Sequence, residues 1–273
     1  VIVHRVSPAG DWETAGRPPH PALAPYVHRG YLGYVERVGA PQRRLEVPHG
    51  SVVVIVNLGP RLAVDGWGLQ RSFVAGLDDR AAMTEHPGEQ RGIQLDLTPQ
   101  GARVLLGVPM HELARRVVAL GDVVGEELAD RLAAAAGWAQ RFDLLDAFLL
   151  DRLARAAPPR PDVAYAWSRL VQTRGAVGVA ELCGELGCSR RHLSGRFAEE
   201  VGLGPKAVAR ILRFGHVIAQ LQAPGGAGRL AEVAAAAGYS DQPHLNRDFR
   251  ALAGCTPTAY VERLLPGGRG VVA

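Results

Sequence analysis

Two groups of side chains in the carboxy-terminal third could do chemistry, and they recur at matched spacing. The first is Arg190, Arg191, His192, Ser194 and Arg196; the second is Gln242, His244, Asn246, Arg247 and Arg250. All ten are hydrogen-bonding groups. Arg makes bidentate bonds to guanine, Asn and Gln to adenine, and Ser or His bond bases or phosphates. Such a set suits recognition of nucleic-acid edges, provided that some element holds the ten residues on exposed faces.

That element is repeated. VAELCGELGCSRRHLSGRFAEEVGLGPKAV (179–208) aligns with LAEVAAAAGYSDQPHLNRDFRALAGCTPTAY (230–260). Up to the turn the offset is 51: Ala180 matches Ala231, Glu181 matches Glu232, Gly187 matches Gly238 and Ser189 matches Ser240. Beyond it the offset is 52: His192 matches His244, Leu193 matches Leu245, Phe197 matches Phe249, Gly202 matches Gly254 and Pro205 matches Pro257. One extra residue therefore sits in the second turn.

Each copy reads as helix, turn, helix. A short helix (179–186; 230–237) ends at a Gly suited to the left-handed conformation past a helix end. A Ser placed to cap the next helix follows. In that helix Leu193, Phe197 and Val201, or Leu245, Phe249 and Ala253, form an apolar stripe that faces a core and leaves the polar groups outward. Pro205 and Pro257 open the following helices, where a missing N–H costs nothing.

These residues resemble the DNA-binding domain of the AraC/XylS family of bacterial transcription regulators over about residues 165–265. The most specific part is GYSDQPHLNRDFRALAGCTPTAY, through Gly238, Tyr239, Leu245, Arg247, Phe249, Gly254, Thr256, Pro257 and Tyr260. The resemblance implies two helix-turn-helix units joined by a long helix, here 205–221, that place two recognition helices in successive major grooves. It puts base contacts on Arg191 and Ser194, and on Gln242, His244, Asn246 and Arg247. It further implies double-stranded DNA and RNA polymerase as partners, a homodimer and a small-molecule effector; the cytoplasmic location expected of the chain comes instead from VIVHRVSPAGDW, which lacks a charged-then-apolar signal pattern. Gly195 departs from the pattern, since the family often has Arg where Arg247 stands in the second unit. Gly within a helix costs about 1 kcal/mol relative to Ala and offers no side chain to a base. The second unit is therefore expected to read sequence at least as stringently as the first.

Charge agrees with that division. Of 31 Lys/Arg and 27 Asp/Glu in 273 residues, 13 and nine lie in residues 161–273, which carry the whole net charge of +4. Residues 1–160 are neutral. The three cysteines, Cys183, Cys188 and Cys255, contain no Cys-x-x-Cys pair, so neither a disulfide framework nor a zinc site is expected. Residues 1–160 hold no cysteine and no Ser-His-Asp pattern, which argues against an enzyme fused to a DNA-binding module; no cofactor or metal is expected. The longest apolar run, 52–56, is far too short to span a bilayer, and no membrane association is expected.

Residues 1–97 read as β-rich, with strands expected at 2–6, 31–35, 43–47, 52–58, 61–64 and 93–97. Within the last, Ile93, Leu95 and Leu97 alternate inward against Gln94 and Asp96. The resemblance implies a cupin-like barrel here, although the His-x-His metal pattern of cupins is missing and His49, Glu85 and His86 read as isolated. Trp12, Tyr31, Tyr34 and Trp67, with Tyr26 and Phe73, are candidate lining for a small-molecule pocket or simply barrel core. Helices are expected at 99–106, 110–120, 126–136 and 142–155. The stripe Leu145, Phe148, Leu149, Arg152 and Leu153 packs on the barrel or against a second subunit, with the resemblance favouring the dimer. AAPPRP (156–161) reads as a linker. The expected fold class is thus α+β: an effector or oligomerisation domain (1–157), a linker (158–164) and an all-α DNA-binding domain (165–265). The competing reading is a ligand-independent, constitutive or architectural DNA binder.

Overall fold

In the computed structural model, residues 1–7, 10–223, 229–264 and 271 are described; the expected domain end at residue 265 lies outside them. Eleven strands fall in two antiparallel sheets among these residues. The larger takes β1 (Ile2–Ser7), β2 (Gly10–Arg17), β3 (Val27–Arg37), β10 (Glu89–Leu97), β5 (Val52–Asn57), β8 (Phe73–Ala75) and β11 (Val117–Ala119), in that order. The smaller takes β4 (Gln42–Glu46), β9 (Ala82–His86), β6 (Leu62–Val64) and β7 (Gly68–Gln70). The expected cupin-like barrel is corrected: no ladder joins the two sheets into a closed cylinder among the described residues. Side chains bridge them instead. Glu36 of β3 is buried and accepts hydrogen bonds from Arg44 of β4 at 2.5 and 2.6 Å, from Trp12 Nε1 at 2.8 Å and from Gln90 at 2.6 Å.

The alternation expected of β10 holds, with Ile93, Leu95 and Leu97 buried. They face α1 (Pro99–Leu106) and α5 (Trp138–Arg155), packed on one side of the large sheet. Trp138 lies over Gly33 so closely that a Cβ there would sit 2.5 Å from its ring. In α5, Trp138, Phe142, Leu145 and Leu149 are all buried. Of the stripe expected to pack on the barrel or against a second subunit, Leu145 and Leu149 are spent on the sheet, while Phe148, Arg152 and Leu153 are only partly covered. Arg152 donates from Nη2 to the carbonyl of Leu106 at 2.6 Å and from Nε to that of Leu105, closing the end of α1.

The helix expected at 110–120 is corrected as well. It stops as α2 (Met110–Leu113), Arg115 turns to a positive φ of 57°, and Val117–Ala119 pair with β8 as β11. β-Branched Val117 and Val118 fit a pleated edge better than a helix. Two short helices follow, α3 (Leu120–Val124) and α4 (Glu127–Ala134).

The carboxy-terminal region is helical: α6 (Pro161–Gln172), α7 (Val179–Leu186), α8 (Arg190–Val201), α9 (Pro205–Gln222), α10 (Leu230–Ala236), α11 (Gln242–Ala253) and α12 (Pro257–Glu262). Pro161 already opens α6, which leaves residues 156–160 between α5 and α6. One apolar core runs without a break from the large sheet through α1–α5 into α6–α8 and the start of α9. A second, separate core holds Phe214, Val217, Val233, Leu245, Phe249, Leu252 and Tyr260.

Candidate nucleic-acid interface

The two turns are built alike. Gly187 and Gly238 both take left-handed φ angles, 61° and 75°. The N–H of the residue after each of these glycines reaches back to a carbonyl five residues earlier, Cys188 to Cys183 at 3.1 Å and Tyr239 to Ala234 at 2.9 Å. The caps differ. Ser189 accepts the His192 N–H at 3.2 Å and starts α8 as expected. In the second unit the extra residue, Asp241, does this instead, accepting the His244 N–H at 2.6 Å. Ser240, expected as the cap, lies 3.1 Å by its Oγ from Nδ1 of His244.

Burial sorts the faces of α8 and α11. Leu193, Phe197 and Val201 are buried in the first, and Leu245, Phe249, Leu252 and Ala253 in the second. Arg190, Arg191, His192 and Ser194 are exposed, as are His244, Arg247 and Arg250; Gln242 and Asn246 are partly covered. Arg190, Arg191, Arg247 and Arg250 make no ion pair among the described residues, so four guanidinium groups are available to an anionic partner. Asn246 Oδ1 is itself buried without a hydrogen-bond partner, so its amide presents less to an outside ligand than the sequence suggests.

Arg196 falls elsewhere. It is only partly exposed, and its Nη1 donates to Asp162 of α6 at 2.5 Å. Its counterpart under the 52-residue offset, Asp248, accepts from Arg210 of α9 and from the Tyr239 hydroxyl at 2.9 Å. Both positions therefore tie the second helix of a unit to the helix that precedes the unit, α6 or α9, with the charges exchanged. Burial, and then the Asp248 charge, raise the Tyr239 hydroxyl well above its ordinary pKa, so it stays a donor. These interhelical ties were not legible in sequence, because the partners lie 34 and 38 residues apart. Gly195 points into open space, with nothing within 4 Å of an added Cβ.

The chain's residues 182–263 match the family model for a helix-turn-helix domain. This is an AraC-type helix-turn-helix domain. Residues 16–119 match a second model, described as a domain of unknown function (DUF6597). No curated protein matches the chain. Among solved structures, a structure of ToxT from Vibrio cholerae is 10% identical, with a TM-score of 0.49, covering 85% of this chain and 98% of that one. ToxT bound to (E)-4-(8-methylnaphthalen-1-yl)but-3-enoic acid is 12% identical, with a TM-score of 0.47 and coverage of 84% and 97%. Unsaturated-fatty-acid-bound ToxT is 10% identical, with a TM-score of 0.44 and coverage of 81% and 94%.

The AraC-type domain rests on the amino-terminal region through both of its units. In the first, Glu200 of α8 is fully buried; its Oε2 accepts the Arg160 N–H at 3.1 Å, while its Oε1 lies 3.3 Å from Arg160 Nε and 3.9 Å from Arg103 Nε of α1. A Cβ on Gly202 would come within 2.9 Å of the Met110 carbonyl of α2. In the second, Leu45 and Val47 pack on the core and Leu45 N–H donates to the Val271 carbonyl at 2.8 Å.

The aromatic residues expected to line a pocket are not brought together. Tyr31 is buried on the α5 side, its hydroxyl 2.6 Å from Asp146 and its ring 5.7 Å from Phe142. Trp12 and Tyr34 lie on the opposite side of the large sheet, near Glu36 and Gly92. Trp67 is 39% exposed in the turn between β6 and β7. The apolar pocket between sheet and α5, lined by Val54, Leu95, Leu145 and Leu149, holds only about 10 Å³. A larger cleft of about 310 Å³ lies where Arg103 and Val104 of α1, the 107–109 turn, Arg155 and Glu199 of α8 meet. Among the described residues no helix is long and apolar enough to cross a membrane.

Proposed function

We infer that the chain is a transcription regulator that reads two successive major grooves of double-stranded DNA with α8 and α11. The observation that carries this is the repeated unit, in which the apolar face of each second helix is buried while Arg190, Arg191, His192 and Ser194, or His244, Arg247 and Arg250, stay exposed. Guanidinium and backbone groups would fix register on phosphates, and Arg191, Ser194, Gln242, His244 and Arg247 would meet base edges, with the half-covered Asn246 contributing less. Grooves on one DNA face repeat about every 34 Å, and bending absorbs a misfit.

In this reading residues 1–157 form the effector and oligomerisation domain, and the partners are DNA, RNA polymerase, a second copy of the chain and a small molecule. The cleft at the α1–α8 junction supports an effector acting on the DNA-binding domain, because a ligand shifts only a state that it binds unequally. Footprinting of the purified chain on its own upstream DNA, at two salt concentrations, tests the reading. Protection of two adjacent major-groove segments, weakening steeply with salt, is the expected result. No protection at low salt, by either the full chain or residues 161–273, would sink it.

A further inference from the structure

The two turns share one backbone arrangement and differ in what they set across it. A helix that closes with a left-handed residue and a six-to-one hydrogen bond brings the side chains of the bonded pair together. In the second unit that pair is Ala234 and Tyr239, both buried. In the first it is two thiols. The Cys188 N–H bonds the Cys183 carbonyl at 3.1 Å, and Cys188 packs against the core cluster that holds Cys183. Cys183 is buried and Cys188 half-buried. The third cysteine, Cys255, sits apart in the turn after α11.

We propose that Cys183 and Cys188 are an oxidative modification site, where a hydroperoxide closes an intramolecular disulfide across the turn that starts α8. Cys188, the more accessible, reacts first. Its thiolate attacks the peroxide, the O–O bond breaks, and a sulfenic acid forms while the departing hydroxide takes up the thiol proton as water. The Cys183 sulfur then displaces the sulfenic hydroxyl, which leaves as water with the Cys183 proton. With hydrogen peroxide, two thiols and one peroxide give one disulfide and two waters. Burial, reinforced by the neighbouring thiol, lifts the Cys188 thiol pKa, so the reaction is slower than at an ordinary exposed thiol and answers sustained rather than brief exposure.

The consequence falls on one unit. Ser189, which caps α8, directly follows Cys188. Drawing the two sulfurs into a bond moves the start of the helix that carries Arg190 and Arg191, while α11 is untouched. This consequence rests on the reading that α8 contacts DNA.

Peptide mapping of the full chain after hydrogen peroxide and alkylation tests the site without reference to DNA. The tryptic peptide 175–190 contains both cysteines. It should lose two hydrogens and refuse the alkylating agent, and dithiothreitol should reverse this. Cys183→Ser and Cys188→Ser should each abolish the change. Both thiols still open to alkylation, or each oxidised separately to a sulfinic acid, would overturn the assignment. In a binding assay, the oxidised protein should bind DNA roughly tenfold more weakly than the reduced one, with Cys183→Ser unaffected. A disulfide that leaves binding unchanged, in a protein whose Arg191→Ala variant does lose binding, would remove the regulatory consequence. If Arg191→Ala also changes nothing, it is the DNA contact of α8 that fails.

Discussion

The first helix-turn-helix unit and the second are one design executed with different materials. Both close the short helix with a left-handed glycine, Gly187 or Gly238. Both pin the second helix to the helix that precedes the unit by an ion pair at the same position, with Arg196–Asp162 to α6 in the first and Asp248–Arg210 to α9 in the second. The supports differ. The first unit shares a continuous core with the amino-terminal region and buries Glu200 against Arg160 and Arg103. The second has a core of its own, reinforced by the Phe214, Phe249 and Tyr260 rings at 5.0 and 5.6 Å. The presented faces differ too, with Gly195 standing where the second unit has Arg247. A scaffold can thus be duplicated while its support and its presented face diverge, and under the proposed function the second unit, which keeps Arg247, is the more stringent reader.

The largest expected effect breaks that division at its reading end. Arg247→Ala should lower DNA affinity about 10- to 100-fold, the scale of one bidentate base contact, as measured by titration at fixed salt. Asp248→Ala removes an acceptor shared by Arg210 and Tyr239 and should destabilise the second core by about 2 kcal/mol. The matching Asp162→Ala, at a more exposed pair, should cost about 1 kcal/mol or less. Denaturant midpoints of the two variants compare these directly, and equal losses would erase the distinction between the units. Gly195→Arg sharpens the contrast from the other side. The site is open, the helix gains up to about 1 kcal/mol, and DNA binding should tighten several-fold. Unchanged binding would mean that this position does not face DNA.

The smallest effect concerns pH and lies outside both units. Buried His86 has no hydrogen bond at Nε2, which lies 3.7 Å from Glu36 Oε2, with the Arg44 charge nearby. Burial lowers its pKa below the ordinary histidine value, Arg44 adds to this, and Glu36 opposes it. A depressed histidine pKa stabilises the fold above the unfolded value of about 6.5 and loses that contribution as pH falls. The melting temperature should therefore drop below about pH 6, and His86→Gln should flatten the drop.

Much of this was legible because period and punctuation agree locally. The helix expected at 99–106 is α1, with Thr98 capping it and Gly107 ending it. The repeat located α7, α8 and α11 to within a residue or so. What stayed hidden depends on distant partners. GDWETAGR forms β2 only because β1 and β3 flank it; its own residues alternate too weakly to announce a strand. AMTEH becomes β9 between β4 and β6. In the site, one inserted residue moved the cap from Ser240 to Asp241, and a cross-helix ion pair took Arg196 out of the exposed set. Neither could be read without knowing which helices touch.

The most direct test of unequal reading is to measure affinity for a footprinted site after substituting base pairs one at a time in each protected segment. The α11 segment should show losses of about 1–3 kcal/mol per substituted pair at the positions met by Arg247 and its neighbours. Losses across the α8 segment should be smaller and shallower. Equal penalties in both segments, or larger ones under α8, would contradict the account.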